Sequence, residues 1–187
     1  MTKPPLTRRE AKKLLAAPDI AEVGGMRDKA ILALLIGTGM HRAEVAELQV
    51  NQIQRNRVTV TRDGKLQTVL MPEWVKHTLD EYRKAAKIKD GAVLRAINQW
   101  GHMRDRMTDR AVYGVVTQYA DKLGLEITPS SLRRTFAQLA YDAGADIHEI
   151  AAALGHSSTK ATREMLGLSG EQTQRSKTAP GDRLALT

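Results

Sequence analysis

The stretch Ala30–Ile36 most limits how this chain can fold. It is seven consecutive apolar residues, entered through Arg27-Asp28-Lys29 and left through Gly37 and Gly39. A helix over Asp28–Ile36 built from such a run is apolar on every side, so it belongs at the centre of a core. Gly37 and Gly39 supply the stop. The run is also far shorter than the ~20 residues that a membrane-spanning helix needs.

The segments around it read as amphipathic elements. Thr7 followed by Glu10 forms a capping box for a first helix whose apolar face carries Leu14 and Leu15, and Pro18–Gly25 reads as a loop. A short helix presents Val45 and Leu48. Arg57–Met71 is the one convincing strand region, because Val58 and Val60 alternate with Arg57, Thr59 and Thr61 before the turn signal Asp63-Gly64. Pro72 opens a helix bearing Trp74, Val75, Leu79 and Tyr82, whose Arg83, Lys84 and Lys87 read as a solvated face. After an unpatterned connection, Asp109–Leu123 is helical and closed by Gly124. Pro129 and Ser130 open the helix of Phe136, Leu139 and Ala140, and Asp146 with Glu149 caps a shorter one ending at Leu154-Gly155. From about Ser169 onward the chain is polar and turn-rich. The expected architecture is a single mainly α domain over residues 1–168 with a small antiparallel β-hairpin or sheet, followed by a flexible tail over 169–187.

Charge narrows the partners. The net charge of +8 over 187 residues favours polyanions, with nucleic acid first among them. Aromatic residues make up only 4% of the chain, with one Phe, too few for a base-stacking platform, so contact with a duplex backbone is the expected mode. There is no cysteine, which excludes disulfides and thiolate metal sites and fits a reducing compartment. The opening Met1-Thr2-Lys3-Pro4-Pro5 has no apolar run behind it, so no secretory signal is expected. The expected location is cytoplasmic and nucleoid-associated, without membrane contact and without cofactor or metal.

Four motifs occur in a fixed order: Arg27-Asp28-Lys29-Ala30 leading to Gly37-Thr38-Gly39, Glu44 and Leu48; the hairpin Thr61-Arg62-Asp63-Gly64-Lys65; Leu132-Arg133-Arg134-Thr135-Phe136-Ala137; and Leu154-Gly155-His156-Ser157-Ser158. Together they resemble the catalytic domain of the tyrosine recombinase (phage integrase) family over roughly residues 6–168, which implies that family's fold. The resemblance also implies a site in which a tyrosine attacks a DNA phosphate and two arginines stabilise the charge on its oxygens. A hairpin lysine protonates the leaving oxygen, and two further residues, usually histidine or a His/Trp pair, assist.

Position by position, this chain departs from that pattern. The first-box arginine falls on His41, with Arg42 one place later and therefore about 100° away around a helix. The hairpin lysine falls on Arg62, which grips phosphate but is a very poor proton donor, while Lys65 stands across the turn. The second-box histidine falls on Ser130, equally explained as a helix N-cap, and Arg134 stands where histidine is common. Arg133 and His156 are retained. The nucleophile, nine residues beyond His156, falls on Met165, whose thioether cannot form a phosphotyrosyl ester. The remaining tyrosines, Tyr82, Tyr113, Tyr119 and Tyr141, fall on other helices and read as packing residues.

These readings lead to a chain without catalytic residues that binds duplex DNA through Arg42, Arg62, Lys65, Arg133, Arg134 and His156, with His41, Arg62, Ser130 and Met165 as degenerate catalytic positions. It would serve as an accessory or regulatory factor in transcription, replication, or plasmid and phage maintenance. Active family members carry an additional N-terminal helical clamp for DNA; this resemblance begins near Leu6, so weaker binding is expected. The alternatives are a protein-interaction module that modulates a recombinase assembly or self-associates through the C-terminal tail, and a residual recombinase.

Overall fold

A computed structural model describes residues 3–98 and 102–168. Among the described residues the apolar run lies in the second of eight α-helices. Helix α1 spans Arg8–Ala16, α2 Val23–Thr38 and α3 Arg42–Glu47. Strands β1 (Ile53–Gln54), β2 (Arg57–Arg62) and β3 (Lys65–Leu70) precede α4 (Glu73–Ala85). Strands β4 (Arg95–Ile97) and β5 (Met103–Arg106) lead into α5 (Asp109–Leu123), α6 (Pro129–Asp142), α7 (Ile147–Leu154) and α8 (Thr159–Leu166).

Helix α2 is enclosed as its composition requires. Every residue from Ala30 to Thr38 is buried, and the helix packs chiefly against α4 and α6, with α1, α3 and α5 also in contact. Burial of each such Leu or Ile contributes about 1.5–3 kcal/mol. The two glycines after the run differ in role. Gly39 is the left-handed C-cap, with φ of 66°, whereas Gly37 is still helical. A β-carbon on Gly37 would lie 2.3 Å from Val75 Cγ2, so its smallness lets α4 close onto α2. Helix α2 also begins at Val23, so the end of the segment read as a loop is helical.

The first sheet is antiparallel in the order β1-β2-β3, with Arg62 paired to Lys65 around Asp63-Gly64. Both turn residues have positive φ, 50° and 73°, as a tight hairpin turn of the primed type needs. Strand β2 buries Val58, Val60 and Arg62 on one face. The period of two that turns the valines inward thus turns Arg62 inward with them.

Two further expectations need correction. The connection before α5 holds a second antiparallel pair, β4 with β5, so Arg57–Met71 is not the only strand region. Every residue of β5 is exposed, so the pair has no buried face to write an alternating pattern into the sequence. The N-cap of α6 is Thr128, whose hydroxyl accepts from the Ser131 amide; Pro129 takes the first helical position. Ser130 is therefore not a cap but an exposed residue of the first turn. The expected tail over 169–187 lies outside the described residues. Among the described residues no helix is long and apolar enough to cross a membrane.

Candidate nucleic-acid interface

A cleft of about 1140 Å³ opens where α3, the β2–β3 hairpin, α5, α6 and the α7–α8 segment converge. Its lining includes His41, Arg42, Arg62, Ser130, Arg133, Arg134, His156 and Met165, so the structure gathers all but one of the singled-out positions. Lys65 borders a smaller neighbouring cavity of about 420 Å³, shared with Arg62 and His156 on the other side of the hairpin. The cleft is not uniformly basic: Glu44, Asp63 and Asp109 also line it.

Two arginines form the floor, and both are tied to the protein. Arg133, 8% exposed, donates through Nη1 to the Gly39 carbonyl and through Nη2 to the Leu154 carbonyl. It thus joins the C-terminal ends of α2 and α7, whose last carbonyls lack helical partners and attract a cation. Arg62, equally buried, donates to both carboxylate oxygens of Glu44 at 2.5 and 2.9 Å and to the Ala153 carbonyl at 3.0 Å. Gly155, with φ of 71°, permits that approach, because a β-carbon there would lie 2.6 Å from Arg62 Nη1. The glycine of Leu154-Gly155-His156 therefore has a local reason: it ends α7 and leaves room for the hairpin arginine.

The floor sets the electrostatics. Burial first, and then Arg62, bring the Arg133 guanidinium down to about 10, with Glu44 opposing; it remains cationic at neutral pH. Burial pushes Glu44 up, but its bonds from Arg62 and the His41 amide outweigh this and hold the carboxyl below its usual range. In sequence Glu44 serves only to align the first box, although its i,i+3 spacing from His41 already carries the capping signal. His41 itself takes the N-cap position of α3, its amide donating to Glu44 at 2.9 Å. Partial desolvation and then Arg133 lower the His41 imidazole, Glu44 opposes, and Arg62 adds to the lowering. His156 is lowered by burial, then by Arg133, Arg62 and His41. Both rings therefore favour the neutral form at pH 7. His156 Nδ1 lies 2.8 Å from the buried Thr162 hydroxyl, which fixes the ring toward α8.

The rim differs. Arg42 is turned toward α5, where its Nε lies 3.2 Å from Asp109 and its guanidinium stands 5.7 Å from the centre of the Tyr113 ring. Lys65 is exposed, and Arg134, partly exposed, donates to the Lys3 carbonyl. Tyr113 was expected only to pack; its 37% exposure on the cleft wall makes it a lining residue that helix periodicity gave no reason to select. Met165 is partly buried against the core and also faces the cleft. Among the described residues no group of three or more His, Cys, Asp or Glu side chains gathers to hold a metal ion.

This arrangement of helices around a mixed, mostly basic cleft has known counterparts. The model of the phage integrase family matches residues 5–165. The chain belongs to the phage integrase family. This integrase-family chain is 28% identical over 162 residues to tyrosine recombinase XerA of Pyrococcus horikoshii, covering 84% of the chain and 54% of that relative. It is 30% identical over 187 residues to tyrosine recombinase XerC of Roseiflexus castenholzii, covering 95% and 59%. It thus spans little more than half the length of these relatives. The crystal structure of XerA recombinase superposes with a TM-score of 0.74 at 25% identity, covering 90% of the chain and 62% of that structure. The pre-cleavage complex of XerH site-specific recombinase bound to its difH substrate has the same fold, with a TM-score of 0.69 at 21% identity, covering 88% and 50%.

Proposed function

We propose that this integrase-family chain binds duplex DNA through its cleft without carrying out strand cleavage, as an accessory or regulatory factor. The observation that carries this reading is Met165. It faces the cleft at the position where the family resemblance expects the nucleophilic tyrosine, and a thioether offers phosphorus no ionisable oxygen. Two other substitutions act in the same direction. Arg62 stands where a proton-donating lysine is expected and is engaged by Glu44, and His41 replaces a permanently charged fork with a mostly neutral ring. Losing one transition-state donor costs about 100- to 1000-fold in rate; losing the nucleophile removes the covalent route. Binding needs only cations near phosphate, and the cleft keeps those.

Fluorescence anisotropy against a duplex, from low to physiological salt, tests this. The expected result is an affinity that falls linearly on a log–log plot against salt; no binding even at low salt would remove the reading and favour a protein-interaction role.

A second reading is residual recombination. The relatives are named tyrosine recombinases, and Tyr113 brings a phenol to the cleft wall. A nicked suicide duplex should trap no covalent adduct with the natural chain. Met165→Tyr should also give none, because His41 and Arg62 remain. An adduct lost in Tyr113→Phe would instead assign activity to a rearranged site.

A further inference from the structure

Among the cations of the cleft, Arg42 alone combines high exposure with an acidic partner that also faces the cleft. Arg42 and Asp109 each expose 47% of their side chains, and the Nε–Oδ2 separation is 3.2 Å. Asp109 occupies the first turn of α5, directly after the N-cap Thr108. The positive end of the helix attracts an acidic side chain at that position. Tyr113, one turn along the same helix, lies under the Arg42 guanidinium. The pair therefore sits on a wall of the proposed binding cleft and is open to water on both sides.

We infer that Asp109 acts as a built-in competitor for DNA phosphate, holding Arg42 against α5 in the free chain and releasing it to a backbone phosphate when duplex enters the cleft. This rests on the DNA-binding reading above. An exposed ion pair is weak, because water and salt already screen both charges. A phosphate offers the guanidinium two oxygens in fork geometry and excludes water from the contact, so the exchange runs toward DNA. The aromatic ring keeps a cation–π contact with the guanidinium while its other edge turns from carboxylate to phosphate. The freed carboxylate stays beside the polyanion and retains a cation, so the complex releases one fewer counterion than the cleft's arginines alone would give.

A double-mutant cycle tests the exchange, with anisotropy titrations of the natural chain, Asp109→Asn, Arg42→Gln and the double variant on one duplex. Asp109→Asn is expected to tighten binding about three- to ten-fold at low salt and to steepen the salt slope by about 0.9. Arg42→Gln is expected to weaken it, and Asp109→Asn added to Arg42→Gln to change affinity by less than about two-fold. Equal tightening in both backgrounds would overturn the proposal, since it would mean that Asp109 merely repels DNA. No tightening at all would overturn it as well. Absence of binding by all four chains would overturn the DNA-binding reading together with this one. Thermal unfolding of Asp109→Asn, whose shape is conserved, separates a loss of helix stability from a change at the cleft.

Discussion

The cleft's floor and its rim carry the same residue type for different ends. On the floor, Arg62 and Arg133 are buried, and their donors are directed into Glu44 and into three carbonyls, those of Gly39, Ala153 and Leu154, on two chain segments. On the rim, Arg42, Lys65 and Arg134 reach water. The floor arginines are joints between α2, α3, the hairpin and α7, and the rim cations are the ones a polyanion meets at little structural cost. Positive charge in the cleft is therefore not all held for a ligand.

The largest effect that would break this contrast is on the floor. Glu44→Ala strands a buried guanidinium and is expected to cost about 3–5 kcal/mol, and Arg133→Ala, which leaves two carbonyls without their donor, about 2–4 kcal/mol. Denaturant midpoints read both, and an unchanged midpoint for either would mean that the floor is not structural. It follows that charge reversal at Arg133 reports on folding before it reports on DNA.

The rim should behave in the opposite way. Lys65→Glu with Arg134→Glu is expected to leave stability within about 0.5 kcal/mol per site while weakening duplex binding about ten- to a hundred-fold at low salt. A large loss of stability, or no loss of affinity, would dissolve the distinction.

A smaller effect sharpens it. Desolvation and Arg133 hold His41 and His156 below the ordinary histidine value of 6.5 in the free chain, whereas a phosphate bound in the cleft would raise them. Between the lowered and raised values the complex holds more protons than the free chain, so affinity is expected to rise several-fold as pH falls from 7 through 6.5 toward 5.5. Without DNA the sign reverses: the unfolded histidines protonate first, so fold stability declines as pH falls below about 6.5. His156→Gln should flatten both trends, and a pH-independent affinity would place the phosphate away from the histidines.

Much of the fold was legible because its signals are local. The capping box of Thr7 and Glu10 forms as spaced, Asp63-Gly64 makes the turn, and Gly39, Gly124 and Gly155 all take left-handed caps. The family resemblance was legible because four motifs keep their order. The β4–β5 pair was not, since β4 is only three residues long and β5 is exposed with charges on both faces, which leaves no period to detect. Ser130 misled because an N-cap and a residue two positions later differ only in backbone geometry, and Thr128 supplies the hydroxyl that caps.

Composition and pattern settled that the apolar run Ala30–Ile36 is buried, that a basic, cysteine-free chain is built around it, and that residue 165 carries no hydroxyl. These follow from side-chain chemistry and from periods of 3.6 and 2 along a continuous chain. The disposition of each arginine came only with folding. Arg62 meets Glu44 across 18 positions and Ala153 across 91, and Arg133 meets Gly39 across 94. A guanidinium's partners depend on which chain ends converge on it, and no short stretch of sequence encodes that convergence.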